Sequence, residues 1–287
     1  MKKVLVAGAT GYLGKYIVKE LHIRGYWVRA LARKSAKLKE IKDYVDEEFI
    51  GEITNPNSLD GICNDIDYVM ASVGITRQKD NLSYVDVDYQ GNKNLLEQAL
   101  KSKVSKFIYV SVLNAHLMRQ LKIIQAKEKF ENALRNSGIS YTIIRPNGYF
   151  SDMLKYLRMV QQGRAYVFGG GDYKINPIHG KGLAEVCVNA LKLSDNEIRV
   201  GGPETLSHRQ IAELAFQSLD RDPKITSIPI GIKNLALALL RTFTPVKTYG
   251  PYEFLLTVLT RDMVCEHYGK EKLSDFFSEE TKKLSKK

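Results

Sequence analysis

Two periodicities alternate along the first half of the chain. Short, nearly continuous apolar runs stand at Val4–Ala7, Trp27–Ala32, Glu48–Ile50, Tyr68–Ala71, Phe107–Ser111 and Tyr141–Ile144. Between most of them lie longer stretches in which apolar residues recur every three or four positions. Tyr12–Arg24 carries Leu13, Ile17, Val18 and Leu21 on one stripe, and Asn92–Lys101 carries Leu95, Leu96, Ala99 and Leu100. The first pattern marks strands buried on both faces and the second marks amphipathic helices. Their alternation predicts a parallel sheet covered by helices on both sides, and right-handed crossovers make it doubly wound.

Beyond Pro146 the regularity fades. Phe168, Gly169, Gly170, Gly171 and Asp172 read as a turn. Helices are predicted at Leu183–Leu191 and at Gln210–Leu219, the second capped by Ser207. From Ile228 onward the chain is apolar and helical in character, interrupted by Pro245 and Pro251. No internal repeat, low-complexity segment or flexible linker appears. The expected division is a doubly wound α/β domain over residues 1–150 and a smaller C-terminal α/β lobe over residues 151–287, packed on it.

The most informative local pattern runs from Val4 to Gly14. A strand enters a loop with Gly8, Gly11 and Gly14, and an amphipathic helix follows. Gly8 permits the tight turn off the strand, Gly11 lets the backbone approach a pyrophosphate, and Gly14 lets the helix pack against the sheet. The helix N-terminus then offers unpaired N–H groups and partial positive charge to phosphates. This is a Rossmann dinucleotide site with the spacing GxxGxxG. An acidic residue at the end of the second strand would bond a ribose 2′-hydroxyl, but the chain has Leu31, Ala32, Arg33, Lys34 and Ser35 there. Two cations and a hydroxyl suit a 2′-phosphate, so NADP(H) is expected over NAD(H).

Composition narrows the remaining classes. The formal net charge is +11, and Lys282, Lys283, Lys286 and Lys287 form a basic tail. The other cations are spread out, as on a solvated surface; an anionic membrane surface or a phosphorylated partner stays open. No zinc-finger spacing supports nucleic acid, and no His, Cys or carboxylate cluster has metal-ligand spacing. The three cysteines, Cys63, Cys187 and Cys265, are far apart and odd in number, which speaks against a disulfide framework. The first apolar run leads straight into glycines instead of a cleavage site, and no apolar stretch reaches the ~20 residues of a membrane span. A cytoplasmic protein without a transmembrane segment is expected. Paired acids such as Glu47 and Glu48 read as solvated charges.

Taken together, these residues resemble the atypical short-chain dehydrogenase/reductase superfamily, and in particular its NmrA-like, NAD(P)H-binding branch. The matching pieces begin with the glycine loop, Ala30–Ser35 and Gly51-Glu52-Ile53. They continue with Ala71-Ser72-Val73-Gly74, then Asp88, Gly91 and Asn92 opening a helix, Phe107–Ser111, and Lys127 with Phe130 and Glu131. The last are Arg145–Tyr149 and Asn176-Pro177-Ile178-His179. The resemblance implies that Thr10, Gly11, Tyr12 and Leu13 line the pyrophosphate and that Arg33 and Lys34 bind the adenosine phosphate. It implies that Ala71, Ser72, Val73 and Gly74 border the adenine side and its ribose. Val110 and Ser111 approach the nicotinamide, Lys127 bonds its ribose, and Pro146, Asn147, Gly148 and Tyr149 close over it.

Typical catalytic members use Tyr-x-x-x-Lys, in which tyrosine protonates the carbonyl oxygen, lysine lowers its pKa and a serine orients the substrate. Lys127 takes the lysine position, but four residues earlier stands Ile123. Three readings follow. The chain is an NADPH-dependent oxidoreductase acting on an apolar carbonyl or alkene, with Lys127, Ser111 and Tyr149 as catalytic candidates or with a water as acid. Alternatively it binds NADP(H) without turning it over, as a redox sensor or a protein that stabilises a complex with a regulatory partner. The third reading, a nucleotide-sugar epimerase or dehydratase, normally needs the same missing tyrosine.

Some residues are open to two readings. His179 either moves a proton or fixes a loop. Where relatives often have Asp as a helix cap, this chain has Gly182. Met153, Leu154, Leu157 and Val160 either floor an apolar pocket or belong to the core. Ile232–Phe243, flanked by Lys233 and Arg241, either lies on a membrane or partner or packs within the C-terminal lobe.

Overall fold

The computed structural model describes residues 1–75 and 81–284, so Lys286 and Lys287 of the basic tail lie outside the described residues. In chain order the first elements are β1 (Lys3–Ala7), α1 (Tyr12–Ile23), β2 (Trp27–Ala32), β3 (Glu47–Ile50), β4 (Tyr68–Ala71), α2 (Asn92–Lys101), β5 (Lys106–Val110), α3 (Lys122–Arg135) and β6 (Ser140–Pro146). Then come α4 (Phe150–Gln161), β7 (Ala165–Phe168), β8 (Lys174–Ile175), α5 (Gly180–Asn189), β9 (Glu197–Val200), β10 (Leu206–Ser207) and α6 (His208–Ser218). The chain ends with β11 (Ile225–Ile228), α7 (Ile230–Phe243), α8 (Val246–Val258) and α9 (Leu273–Leu284).

The main sheet has seven strands in the order β3-β2-β1-β4-β5-β6-β9. Strand β1 pairs in parallel with β2, Val4 opposite Val28, and on its other side with β4, Val4 opposite Tyr68. From β1 the chain first winds outward through β2 and β3. It then returns to start β4 on the opposite side, which opens a crevice beyond the carboxyl ends of β1 and β4, where such sheets bind ligands. The strands are apolar throughout because helices cover both faces: Val4, Leu5, Val6 and Ala7 are all fully buried.

The stripe on α1 is inward: Leu13, Gly14, Ile17, Val18 and Leu21 are its buried residues. Helix α2 buries Leu95, Leu96 and Ala99. Helix α3 seats Phe130 against Tyr109 and Phe107, with ring centroids 4.6 Å and 5.9 Å apart. Each such fully buried aromatic contributes on the order of 1.5–3 kcal/mol. The connection from β2 to β3 is a run of 3-10 turns through Ser35–Tyr44, which buries Leu38 and Ile41. Glu47 and Glu48 are not merely solvated: Glu47 pairs with Arg29 at 2.8 Å, and Glu48 accepts a hydrogen bond from Ser35.

The chain forms two compact units. The first comprises Met1–Arg145 and Leu183–Ile198, and the second Pro146–Gly182 and the chain from Arg199 onward. Residues 183–198, reckoned from sequence to the C-terminal lobe, therefore lie in the first unit. They complete its sheet, since Ile143 donates to the carbonyl of Asn196 at 2.9 Å.

The second unit holds two small sheets, β7 with β11 in parallel and β8 with β10 antiparallel. In α4 the residues Met153, Leu157 and Val160 are buried and belong to the core, while Leu154 is half-buried. Ser207 caps α6 reciprocally: its hydroxyl accepts from the Gln210 N–H at 3.1 Å, and the Gln210 side chain accepts from the Ser207 N–H at 2.8 Å. Pro245 stands at the N-cap of α8 and Pro251 within that helix, so the two prolines separate and shape helices instead of breaking the region into loops.

Candidate functional site

The site grows from the end of β1. Gly8 takes φ +90°, and a Cβ there would stand 2.7 Å from the Ser72 hydroxyl, so only glycine serves both the turn and the close approach of the β4 loop. The Gly11 N–H closes the turn on the Gly8 carbonyl at 2.9 Å, and Gly11 is the N-cap of α1. A Cβ on Gly14 would overlap that same Gly8 carbonyl, so the helix starts pressed against the loop. No acidic residue stands in the first turn of α1. The N–H groups of its first turn and the positive end of its dipole suit an anion. These features form a cradle that fits a pyrophosphate.

The facing wall is Ala71–Gly74, following β4. The Ser72 N–H donates to the Ala7 carbonyl at 3.0 Å, and its hydroxyl to the same oxygen at 3.3 Å. Behind this wall a π-helical turn, Val85–Gly91, runs into α2. It delivers two fully buried polar residues, Asp88 and Asn92. The Asn92 amide donates to the carbonyls of Val73, Val87 and Asp88 at 3.1–3.3 Å. Asp88 accepts from the Ile75 N–H at 3.2 Å and pairs with the Lys127 ammonium at 2.9 Å. A Cβ on Gly74 would meet both groups of that pair, at 2.7 Å from Asp88 and 3.0 Å from Lys127. Lys127 is thus brought to the wall, held by a carboxylate from another element. Burial holds the Asp88 carboxyl above the ordinary carboxylate range, against the pull of Lys127 and the Ile75 N–H.

Val110 ends β5, and Ser111 follows just outside the strand, its N–H bonded to the Ile144 carbonyl at 2.8 Å. The Ser111 hydroxyl donates to Glu131 at 2.5 Å. Glu131 in turn pairs with Arg145 at 2.7 Å and with Arg135 at 2.9 Å, and Arg145 reaches Glu197 at 2.9 Å. Burial opposes ionisation of Glu131. The hydrogen bonds and charge of Arg145, with Ser111 and Arg135, outweigh it and hold the carboxyl below its usual range. Ile123, where a proton-donating tyrosine is usual, is a buried residue of α3.

Arg33 and Lys34 follow β2 directly and are exposed, with Glu52 3.8 Å from the Arg33 Nε. Tyr12 is half-buried and stacks edge-on with Tyr16, while Leu13 is core. Residues Pro146–Tyr149 belong to the second unit. There the Asn147 amide donates to the carbonyls of Asn176 and Met263 at 2.7 and 2.9 Å, and Gly148 accepts from the Ile178 N–H at 2.8 Å. Tyr149 is half-buried at the start of α4. In the same unit His179 packs between the rings of Phe150 and Phe276, at 5.6 and 5.8 Å, and burial lowers its pKa. Gly182 lies against Gly269, where a Cβ would come within 3.0 Å.

The sequence names Asp88 and Glu131 among the pieces that carry the resemblance, but not as the groups that hold Lys127 and Ser111. One signal was available. On α3 the positions Ile123, Lys127, Phe130, Glu131 and Leu134 share one face, and two charges on an apolar stripe require buried partners. Among the described residues, no group of His, Cys, Asp and Glu is arranged to hold a metal, and no helix is long and apolar enough to cross a membrane.

A family model described as NAD(P)H-binding matches residues 8–193. The chain is 29% identical over 260 residues to the chloroplastic divinyl chlorophyllide a 8-vinyl-reductase of Cucumis sativus, covering 83% of this chain and 62% of that one. It therefore spans less than two thirds of the cucumber protein's length. It is 28% identical over 237 residues to the Photosystem II assembly factor Ycf39 of Cyanophora paradoxa, covering 81% of this chain and 74% of that one. In fold it resembles the NADPH-dependent quinone oxidoreductase QOR2 of Escherichia coli, solved with NADPH, at TM-score 0.71 and 16% identity over 97% of this chain and 99% of that one.

Proposed function

We propose, from the premise that this chain belongs to the NAD(P)H-binding family and is of the atypical short-chain dehydrogenase/reductase kind, that it binds NADP(H) in preference to NAD(H) and reduces a carbonyl or conjugated alkene of an apolar substrate. The observation that carries the cofactor preference is the end of β2, where exposed Arg33 and Lys34 stand in place of an acid. The glycine cradle at α1 takes the pyrophosphate. Ala71, Ser72, Val73 and Gly74 border the adenosine half, and Val110 faces the nicotinamide end. When bound, the nicotinamide supplies the hydride. The chain's own residues bind and orient: Asp88 fixes the Lys127 ammonium to bond the nicotinamide ribose, and Glu131 fixes Ser111 at the strand end. An alkene acceptor is supported by the likeness to a vinyl-reductase and by Ile123, since reduction of a conjugated alkene places a looser demand on the acid than reduction of a carbonyl. Three buried free cysteines suit a reducing compartment such as the cytoplasm.

A second reading has its own support. The Ser111 hydroxyl is committed to Glu131 and the Lys127 ammonium to Asp88, and the chain resembles a protein named as an assembly factor. In that reading the bound cofactor stabilises a surface for a partner protein and is not consumed.

Parallel fluorescence titrations of cofactor-stripped protein with NADPH and NADH test the shared part. Tighter binding of NADPH, reversed in Arg33→Asp, is expected; equal affinities, or an unchanged preference in that variant, overturn the assignment of the 2′-phosphate. A panel of enones and quinones then separates the two readings. NADPH oxidation establishes the reductase. Inertness across the panel, with a partner recovered by pull-down, favours the second reading.

A further inference from the structure

Helix α7 carries one row of side chains turned inward and a second, apolar row turned outward. Its inner row is Ile230, Lys233, Leu237, Leu240 and, just past its end, Thr244, all at least partly buried. The Lys233 ammonium on this row donates to the Thr260 hydroxyl at 3.1 Å, and Arg241 pairs with the buried Glu253 of α8 at 2.7 Å. The outer row is Ile232, Leu235, Leu239 and Phe243, which are 57%, 62%, 50% and 78% exposed. Spacings of three and four residues keep these side chains on one stripe, and Ala236 fills the row between them. From Ile232 to Phe243 the stripe is roughly 17 Å long. Tyr252 of α8, 55% exposed, adds a further aromatic from the neighbouring helix. Single exposed leucines are ordinary, but a continuous row of four large apolar side chains marks an interaction surface.

Charge selects the occupant. From Pro223 to Tyr252 the chain carries no acidic residue, and of its four cations Lys233 and Arg241 are turned to Thr260 and Glu253 while Lys224 and Lys247 are exposed. A second copy of the chain placed on this face by a twofold axis would set Lys224 and Lys247 against their own images. A surface that combines hydrocarbon with negative charge satisfies both features at once. We propose that the outer face of α7 docks on an anionic lipid surface. Ile232, Leu235, Leu239 and Phe243 enter the boundary between headgroups and acyl chains, while the exposed Lys224 and Lys247 meet the headgroups. Such a helix lies in the plane of the interface and does not span it. This inference is independent of which substrate, if any, the cofactor site serves.

The test is co-sedimentation of the full chain with two kinds of vesicle, pure phosphatidylcholine and an equal mixture of phosphatidylcholine and phosphatidylglycerol. The wild type should sediment with the mixed vesicles, poorly with the neutral ones, and less as salt is raised. The double variant Leu235→Glu/Leu239→Glu changes exposed positions only, so it should keep its helical circular dichroism and its cofactor binding. Its partition onto the mixed vesicles should fall by at least about tenfold. Lys247→Glu should lower partition by a few-fold and leave the fold intact. Absence of vesicle binding by the wild type overturns the proposal, as does undiminished binding by the double variant. So does a concentration-dependent dimer, seen by light scattering, that the double variant abolishes.

Discussion

Replacing Glu131 by alanine removes the anion at the centre of a buried group of charges. Glu131 is 1% exposed and Arg145 8%. The substitution deletes two contacts to Arg145, at 3.0 and 2.7 Å, one to Arg135 at 2.9 Å, and the acceptor of the Ser111 hydroxyl at 2.5 Å. Orphaning one member of a buried ion pair costs about 3–5 kcal/mol. Arg145 keeps Glu197 at 2.9 Å, a half-exposed partner, so the lower end, about 3 kcal/mol, is expected. For a chain of this size that corresponds to roughly 6–12 °C in midpoint. The chain has a single tryptophan, Trp27, on β2 in the same unit as Glu131, so its fluorescence during urea unfolding reports the relevant unit. The double variant Glu131→Leu/Arg145→Met leaves no buried charge orphaned, since the partners it strands, Arg135 and Glu197, reach solvent, and it should cost clearly less than the sum of the single losses. The pH dependence has a definite sign. The folded pKa of Glu131 lies below its ordinary value. Its contribution to stability is therefore full above the ordinary glutamate pKa of about 4.3 and is lost as pH falls toward the lower folded value. Glu131→Gln should flatten that acid limb. A loss below about 1 kcal/mol in Glu131→Ala, or strict additivity in the double variant, would refute the argument that this carboxylate neutralises the buried guanidinium.

Two further substitutions probe the cradle and the second unit. Gly14→Val places a branched side chain where even a Cβ overlaps the Gly8 carbonyl, so NADPH binding should weaken at least about tenfold in a titration; unchanged affinity would mean the loop does not hold the pyrophosphate. Ser207→Ala removes the reciprocal cap of α6 and should cost about 1 kcal/mol by thermal unfolding, with Ser207→Asp restoring most of it and cofactor affinity unchanged in both.

The parts of this protein that follow from local pattern were legible in the sequence. Strand β2 and helix α2 have the bounds that their apolar runs predict, and the glycine loop stands between β1 and α1 as its spacing requires. The cap at Ser207 was legible because a capping box is written in residues three apart. What was not legible depends on tertiary pairing. Asp88 lies 39 positions from Lys127, and nothing local says that a carboxylate within a π-helical turn will be buried against an ammonium on α3. The return of residues 183–198 to the first unit is of the same kind. Their apolar pattern suits either unit, and only the free edge of β6 decides where β9 adds. The outer row of α7 was visible as apolar sequence, but which of its two faces is turned to water is set by α8.

The place of β9 constrains how the chain is made. The sheet is laid down from its middle outward, and its last strand lies beyond the whole segment Pro146–Gly182 that belongs elsewhere. During synthesis β6 emerges, therefore, long before the strand that covers it. Until Glu197–Val200 leaves the ribosome, β6 presents a row of unpaired N–H and C=O groups, the kind of edge on which nascent chains join one another. The Thr142 hydroxyl, fully formed by then, waits for the Asp195 carbonyl that it later binds at 2.6 Å. A half ending near residue 150 would for this reason keep the edge of β6 open, and the time taken to synthesise the residues up to Val200 sets how long the nascent chain carries it.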